Sequence, residues 1–148
     1  SDITRTFPVS GKFTNRQKEV YEVVLECNKK CIEYAKAGIT WLEINNYAKK
    51  ILADGCKKLG LIKEDQELNK YYYHSIGHSL GLDVHDPNIA SKGLLEGMVI
   101  TIEPGLYIEE ENIGIRIEDN ILITCDKAIN LSEDIIKEVE DIEKFMKK

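Results

Sequence analysis

Apolar positions in the first third of the chain recur with the period of a helix. Thr14 and Gln17 make a capping box, and Val20, Val24, Cys27, Cys31 and Tyr34 then fall three and four apart, which predicts an amphipathic helix ending near Gly38. Thr40 and Glu43 repeat the capping pair, and Leu42, Ile44, Tyr47, Ile51 and Leu59 predict a second helix that stops at Gly60. Gly55 lies inside that helix and costs about 1 kcal/mol relative to Ala unless a neighbour packs close against it. Ahead of both, residues 3–9 alternate apolar and polar side chains before Gly11, the pattern of a strand entering a turn. From Tyr71 the texture turns to β, with residues 71–73, 98–102, 105–108 and 114–124 separated by Gly, Pro and Asn. In the tail, Ile135, Val139, Ile142 and Met146 keep helical spacing from Ser132, but Ile135-Ile136 read better as the end of a strand followed by a shorter helix. No repeat, linker or charge block divides the chain, so helices and an antiparallel sheet are expected to share one core as a single α+β domain over 1–148.

Composition narrows the function classes. At 148 residues and 16.9 kDa, with 43% hydrophobic and 31% charged residues, the chain has the size and balance of one globular domain. Twenty Lys and Arg against 26 Asp and Glu give a net charge of −6 without a basic patch, which argues against a nucleic-acid partner. No 18-residue apolar run or export signal is visible, so neither a membrane nor secretion is expected. The four cysteines form no CxxC pair, which suits the reducing cytoplasm. Cys27 and Cys31 read as one core face of the first helix rather than as a disulfide or metal pair, since a helical pair alone supplies only two ligands.

Three stretches can carry chemistry. All the histidines lie in Tyr73-His74-Ser75-Ile76-Gly77-His78-Ser79-Leu80-Gly81-Leu82-Asp83-Val84-His85-Asp86. His74 and His78 have the spacing of zinc ligands on a helix, but no Glu follows His74 and Gly77 and Gly81 oppose a helix, so an extended segment is expected, with His85 farther along. The bland alternative is three ordinary histidines, in the core or on the surface. Val99-Ile100-Thr101-Ile102-Glu103-Pro104-Gly105 places a carboxylate just before a turn, which is either functional or a solvated strand end. In Gly114-Ile115-Arg116-Ile117-Glu118-Asp119-Asn120 one face is apolar and the other carries Arg116, Glu118 and Asn120, which alone would describe a half-exposed strand with a surface ion pair. Together with Asp2 these stretches supply Asp, His, Glu and Glu, an oxygen-dominated set suited to Mn²⁺, Co²⁺, Fe²⁺ or Zn²⁺.

Four motifs in order, Ser1-Asp2-Ile3-Thr4-Arg5-Thr6-Phe7, the stretch from His74 to Asp86, Ile102-Glu103-Pro104-Gly105-Leu106-Tyr107 and Gly114-Ile115-Arg116-Ile117-Glu118-Asp119, resemble the Xaa-Pro aminopeptidases. The chain is similar to the C-terminal part of aminopeptidase P, a dimetal peptidase of the pita-bread fold, in which a curved antiparallel sheet carries helices on its outer face. The resemblance implies two divalent ions, Mn²⁺ first, held by Asp2, His78, Glu103 and Glu118, with Glu103 also the base. It sets His74 and His85 on the substrate side, His85 as proton shuttle or carbonyl contact, and Arg116 and Tyr107 as groups that orient the water and the carboxylates. The implied reaction is hydrolysis of the bond before a proline at the second position of a peptide, by a hydroxide bridging the metals, in a parent protein expected to be a homo-oligomer. A dipeptidase for Xaa-Pro shares the same motifs and is the alternative enzyme; a peptide- or protein-binding domain without activity is the alternative outside catalysis. The family's first aspartate ligand and the N-terminal half of its catalytic domain have no counterpart here, so the isolated chain is expected to be inactive and to hold its metals weakly.

Overall fold

The computed structural model describes residues 1–83, 85 and 93–147; Val84 and Asp86 of the histidine stretch lie outside the described residues. Helix α1 (Asn15–Tyr34) begins where the sequence predicts, with Thr14 and Gln17 capping each other reciprocally. It ends four residues before Gly38, because the Ala37 and Gly38 amides are drawn out to the carbonyls of Thr124 and Leu94. Helix α2 (Trp41–Lys58) carries the same cap on Thr40 and Glu43. A Cβ on Gly55 would sit 2.3 Å from Val23 Cγ1, so the missing side chain is what lets the two helices touch. Cys27 and Cys31 are buried with their sulfurs 3.9 Å apart in the core, as expected for a shared apolar face.

Strands β2 (Val99–Ile102) and β5 (Asp119–Ile123) pair antiparallel, with Ile102 facing Asp119. Strands β3 (Gly105–Ile108) and β4 (Ile113–Arg116) pair likewise, with Gly105 facing Arg116. One register runs through both pairs, so they form a single long hairpin, kinked where residues 103–104 pass residues 117–118. That register sets Glu103 opposite Glu118. The kink has a local cause, since Pro104 has no amide hydrogen to donate across the hairpin. The side-chain amide of buried Asn28, reaching over from α1, donates instead to the Ile117 carbonyl opposite Pro104, at 3.4 Å, and also to the Ile102 carbonyl at 3.3 Å. Short strands β1 (Ser79–Leu80) and β6 (Ala128–Asn130) complete a four-stranded sheet in the order β1-β2-β5-β6, and α3 (Val139–Met146) closes the chain.

Several sequence expectations change in detail. Residues 3–9 do not form a strand: a single bridge joins Thr4 to Glu118, and at the next rung the Thr6 hydroxyl rather than its backbone bonds the Arg116 amide and carbonyl. Residues 71–73 follow a short 3₁₀ helix (Asp65–Lys70) and are irregular. The stretch 114–124 is two strands rather than one, and 74–78 is irregular before the two residues of β1. The short final helix is present, but Ile135 and Ile136 do not end a strand; their carbonyls accept from Arg5 instead. The α+β class stands, and no helix among the described residues is long and apolar enough to cross a membrane.

Candidate metal centre

The hairpin kink aims two carboxylates at one place, and two other segments bring an imidazole and a third carboxylate to it. His78 arrives from the loop ahead of β1. Its own amide donates to Thr101 Oγ1 at 3.0 Å, and the backbone one residue earlier lies so close to β2 that a Cβ on Gly77 would stand 2.0 Å from the Thr101 carbonyl oxygen. The Thr101 hydroxyl in turn reaches Glu103 Oε1 at 3.3 Å. His78 Nδ1 faces the Ser79 carbonyl at 3.2 Å and must donate to it, which leaves the Nε2 lone pair pointing at Asp2 Oδ2 (3.4 Å) and Glu103 Oε1 (3.6 Å). An imidazole fixed through its other nitrogen is the arrangement in which histidine ligates a metal.

Glu118 is the most enclosed of the set at 2% exposure. Thr4 Oγ1 donates to its Oε2 at 2.5 Å, while buried Oε1 has no hydrogen-bond partner among the described residues. Desolvation pushes the Glu118 carboxyl above the usual range against the help of Thr4, and the charges of Glu103 and Asp2 push it the same way. Carboxylates facing each other across a hairpin are destabilising unless something cationic lies between them. Potential ligand atoms of His78, Glu103 and Glu118 lie within 4.8 Å of one another, and so do those of Asp2, His78 and His85. Ligand atoms sharing an ion with bonds of 2.0–2.2 Å stand about 3–3.5 Å apart. The unpaired buried oxygen, the oriented imidazole and these spacings fit a divalent cation.

The remaining candidates lie beside this cluster. His85 lies beside His78: its exposed ring stands 4.1 Å from that of His78, centroid to centroid. His74 Nδ1 donates to the Ser75 carbonyl at 2.8 Å, so its Nε2 accepts from the Tyr107 hydroxyl, also at 2.8 Å. Burial holds the Tyr107 hydroxyl above its ordinary pKa although Arg116 bonds to it, and a protonated phenol is what this donation requires. Arg116 Nε also donates to Thr4 Oγ1 at 3.1 Å, so the arginine reaches Glu118 through Thr4. The surface ion pair that the alternation allowed is absent, because Glu118 is buried and turned into the cluster. Sequence reasoning missed Thr4 and Thr101, although each lies two residues from a predicted ligand, the spacing that shares a face in extended chain. It also missed Asn28, which no local pattern marks.

The sequence profile of metallopeptidase family M24 matches residues 1–125, and the chain belongs to that family. It is 41% identical to the mitochondrial intermediate cleaving peptidase 55 of Arabidopsis thaliana (99% of this chain, 32% of the relative). Its identity to the Xaa-Pro aminopeptidase of Escherichia coli K12 is 42% (98% and 37%). The structure of a putative aminopeptidase P from Bacillus anthracis superposes with a TM-score of 0.96 at 58% identity, over 99% of this chain and 35% of that one. The fold is thus the pita-bread fold of aminopeptidase P, and the chain spans about a third of the length of these relatives. A family of metallopeptidases implies divalent metal ions, and the carboxylate and imidazole cluster is a group that could hold one.

Proposed function

We propose that the chain is the C-terminal portion of a catalytic domain that removes the first residue from peptides with proline at the second position. Asp2, His78, Glu103 and Glu118 are the residues that would hold a pair of divalent ions, with Mn²⁺ the first choice among the hard, oxygen-preferring cations. Bound there, the ions supply a water acidic enough to ionise near neutral pH and a pole of positive charge for a carbonyl oxygen. Glu103 takes the proton of the attacking water; its Oε1 is held by Thr101, so the carboxylate is oriented before substrate arrives. His85, exposed beside His78, donates to the carbonyl oxygen as charge grows on it. The proton held on Glu103 then passes to the departing proline nitrogen. The relay from Arg116 through the Tyr107 hydroxyl to His74 Nε2 orients the His74 ring and fixes one wall of the substrate side. The cytoplasm is the proposed location, on the four unpaired thiols, and a homo-oligomer the proposed state, on the resemblance.

The observation that carries the reading is the His78 imidazole, oriented by Ser79 and facing two carboxylates while a third, Glu118, lies buried with an unpaired oxygen. The test uses the full-length protein carrying this chain, supplied with Mn²⁺ and a tripeptide Xaa-Pro-Yaa. Free Xaa is the expected product, and Glu103→Gln abolishes its release while the melting temperature of the metal-free protein changes little. Cleavage of Xaa-Pro but not of the tripeptide would reassign the enzyme as a dipeptidase, and turnover retained by Glu103→Gln would remove Glu103 as the base.

A further inference from the structure

The ligand nearest the start of the chain is held in an unusual way. Residues 2, 4 and 6 face residues 120, 118 and 116 in one antiparallel register, yet only the middle rung is made by two backbones, with Glu118 N–H donating to the Thr4 carbonyl at 3.0 Å and Thr4 N–H to the Glu118 carbonyl at 3.4 Å. At residue 6 the Thr6 hydroxyl stands in, donating to the Arg116 carbonyl at 2.8 Å and accepting the Arg116 amide at 3.1 Å. At residue 2 the backbone of Asn120 is already committed, its carbonyl to the Leu131 amide and its amide to Ser132 Oγ. Its side chain takes over. Asn120 Oδ1 accepts the Asp2 amide at 3.1 Å and Asn120 Nδ2 donates to the Asp2 carbonyl, so a primary amide copies both halves of a backbone rung.

We propose that Asn120 is the positioning residue for Asp2: its buried side-chain amide clasps the Asp2 backbone and so sets the Asp2 carboxylate against His78 Nε2. The inference rests on the reading of Asp2 as a metal ligand. A segment not held in this way would lose conformational entropy each time its carboxylate engaged an ion; the clasp removes that loss before the ion arrives. Asn has the required shape, since its amide presents one acceptor and one donor side by side, as a peptide group does. Asp at this position could accept the amide but would set an oxygen against the Asp2 carbonyl, and Ala would leave both groups of Asp2 to water.

The test titrates Mn²⁺ into the full-length protein carrying this chain, following the electron paramagnetic resonance of the free ion, for the parent sequence, Asn120→Ala, Asp2→Asn, the double variant and Ser132→Ala. The last removes the Ser132 hydroxyl's bonds to the Asn120 amide, Asp119 and Asn130 while leaving the Asn120 side chain to clasp Asp2, and so controls for lost stability at the same turn. Amide hydrogen exchange at Asp2 and Thr4 is measured without metal. Asn120→Ala is expected to weaken Mn²⁺ binding by tenfold or more, the loss typical of removing a group that orients a ligand. It is also expected to speed exchange at Asp2 more than at Thr4, while Ser132→Ala keeps its Mn²⁺ affinity within threefold. In the double variant Asn120→Ala adds nothing to Asp2→Asn, because it acts only through Asp2. Additive losses, equal losses in Asn120→Ala and Ser132→Ala, or an unchanged affinity in Asn120→Ala overturn the proposal. Should Asp2→Asn bind like the parent, or the parent bind no Mn²⁺, the ligand reading fails and the proposal falls with it.

Discussion

Replacing Asn28 tests whether one amide holds the hairpin kink open. Asn28 is fully buried and makes three hydrogen bonds: two donated, to the Ile102 and Ile117 carbonyls at 3.3 and 3.4 Å, and one accepted from Lys137 Nζ at 2.8 Å. In Asn28→Ala the Ile102 and Ile117 carbonyls each lose a donor, which at Ile117 the facing Pro104 cannot replace, and Lys137 keeps only Asp119 at 2.7 Å. The two long bonds are set at the low end for orphaned buried groups, about 1 kcal/mol each, and the charge-assisted one adds about 1.5 kcal/mol. The sum is about 3.5 kcal/mol, or about 10 °C of melting temperature for a domain of this size. Asn28→Asp separates the two contributions: it offers Lys137 a stronger partner but donates to neither carbonyl. If the missing donors dominate, Asn28→Asp melts nearly as low as Asn28→Ala in a calorimetric or circular-dichroism scan. A fall of less than about 3 °C in Asn28→Ala, or near-parental stability in Asn28→Asp, refutes the account of the kink.

Two further outcomes follow from the same geometry. Mn²⁺ at about a hundred times its dissociation constant stabilises the native state by about 2.7 kcal/mol, so the melting temperature rises by about 8 °C, excess chelator reverses the rise, and Glu118→Gln removes most of it; a melting temperature indifferent to Mn²⁺ contradicts the centre. Under native conditions a thiol reagent modifies Cys125, which is exposed, and spares Cys27, Cys31 and Cys56, whereas all four react in denaturant. Burial pushes the Cys56 thiol up to about 11 from 9.0, so it favours folding at neutral pH. That contribution is complete below pH 9 and is lost as pH rises toward 11, because the unfolded chain ionises first. A Cys56→Ala variant should therefore melt with a shallower pH dependence over that range, and a slope equal to the parent's would exclude the thiol as its source.

The helices were legible because their signals are local. Capping boxes at Thr14 and Thr40 act within four residues, and the apolar spacing that follows fixes which side faces inward. Strands 99–102 and 105–108 were legible for the same reason, as apolar runs bounded by Gly and Pro. The arm at residues 3–9 shows where local pattern stops. Its alternation is that of a strand, but the Thr6 hydroxyl takes the backbone groups of Arg116 that the next rung of a strand would use. Likewise nothing near Asn28 in the sequence announces that a proline 76 positions later will leave the Ile117 carbonyl for it to satisfy.

The sequence alone determined the inventory of the site: which residues carry carboxylates and imidazoles, and in what order, as the family motifs record. It also determined that Thr101 and Glu103, like Asp2 and Thr4, share a face whenever their segments are extended. Only the tertiary structure decided that the buried oxygen of Glu118 would be left unpaired, that His85 would lie against His78, and that side chains would replace backbone rungs at Thr6 and Asn120. The reason is one of range. Helix caps and alternation are settled by atoms a few bonds apart, whereas a ligand cluster depends on how segments a hundred residues apart compete for the same hydrogen-bonding edge.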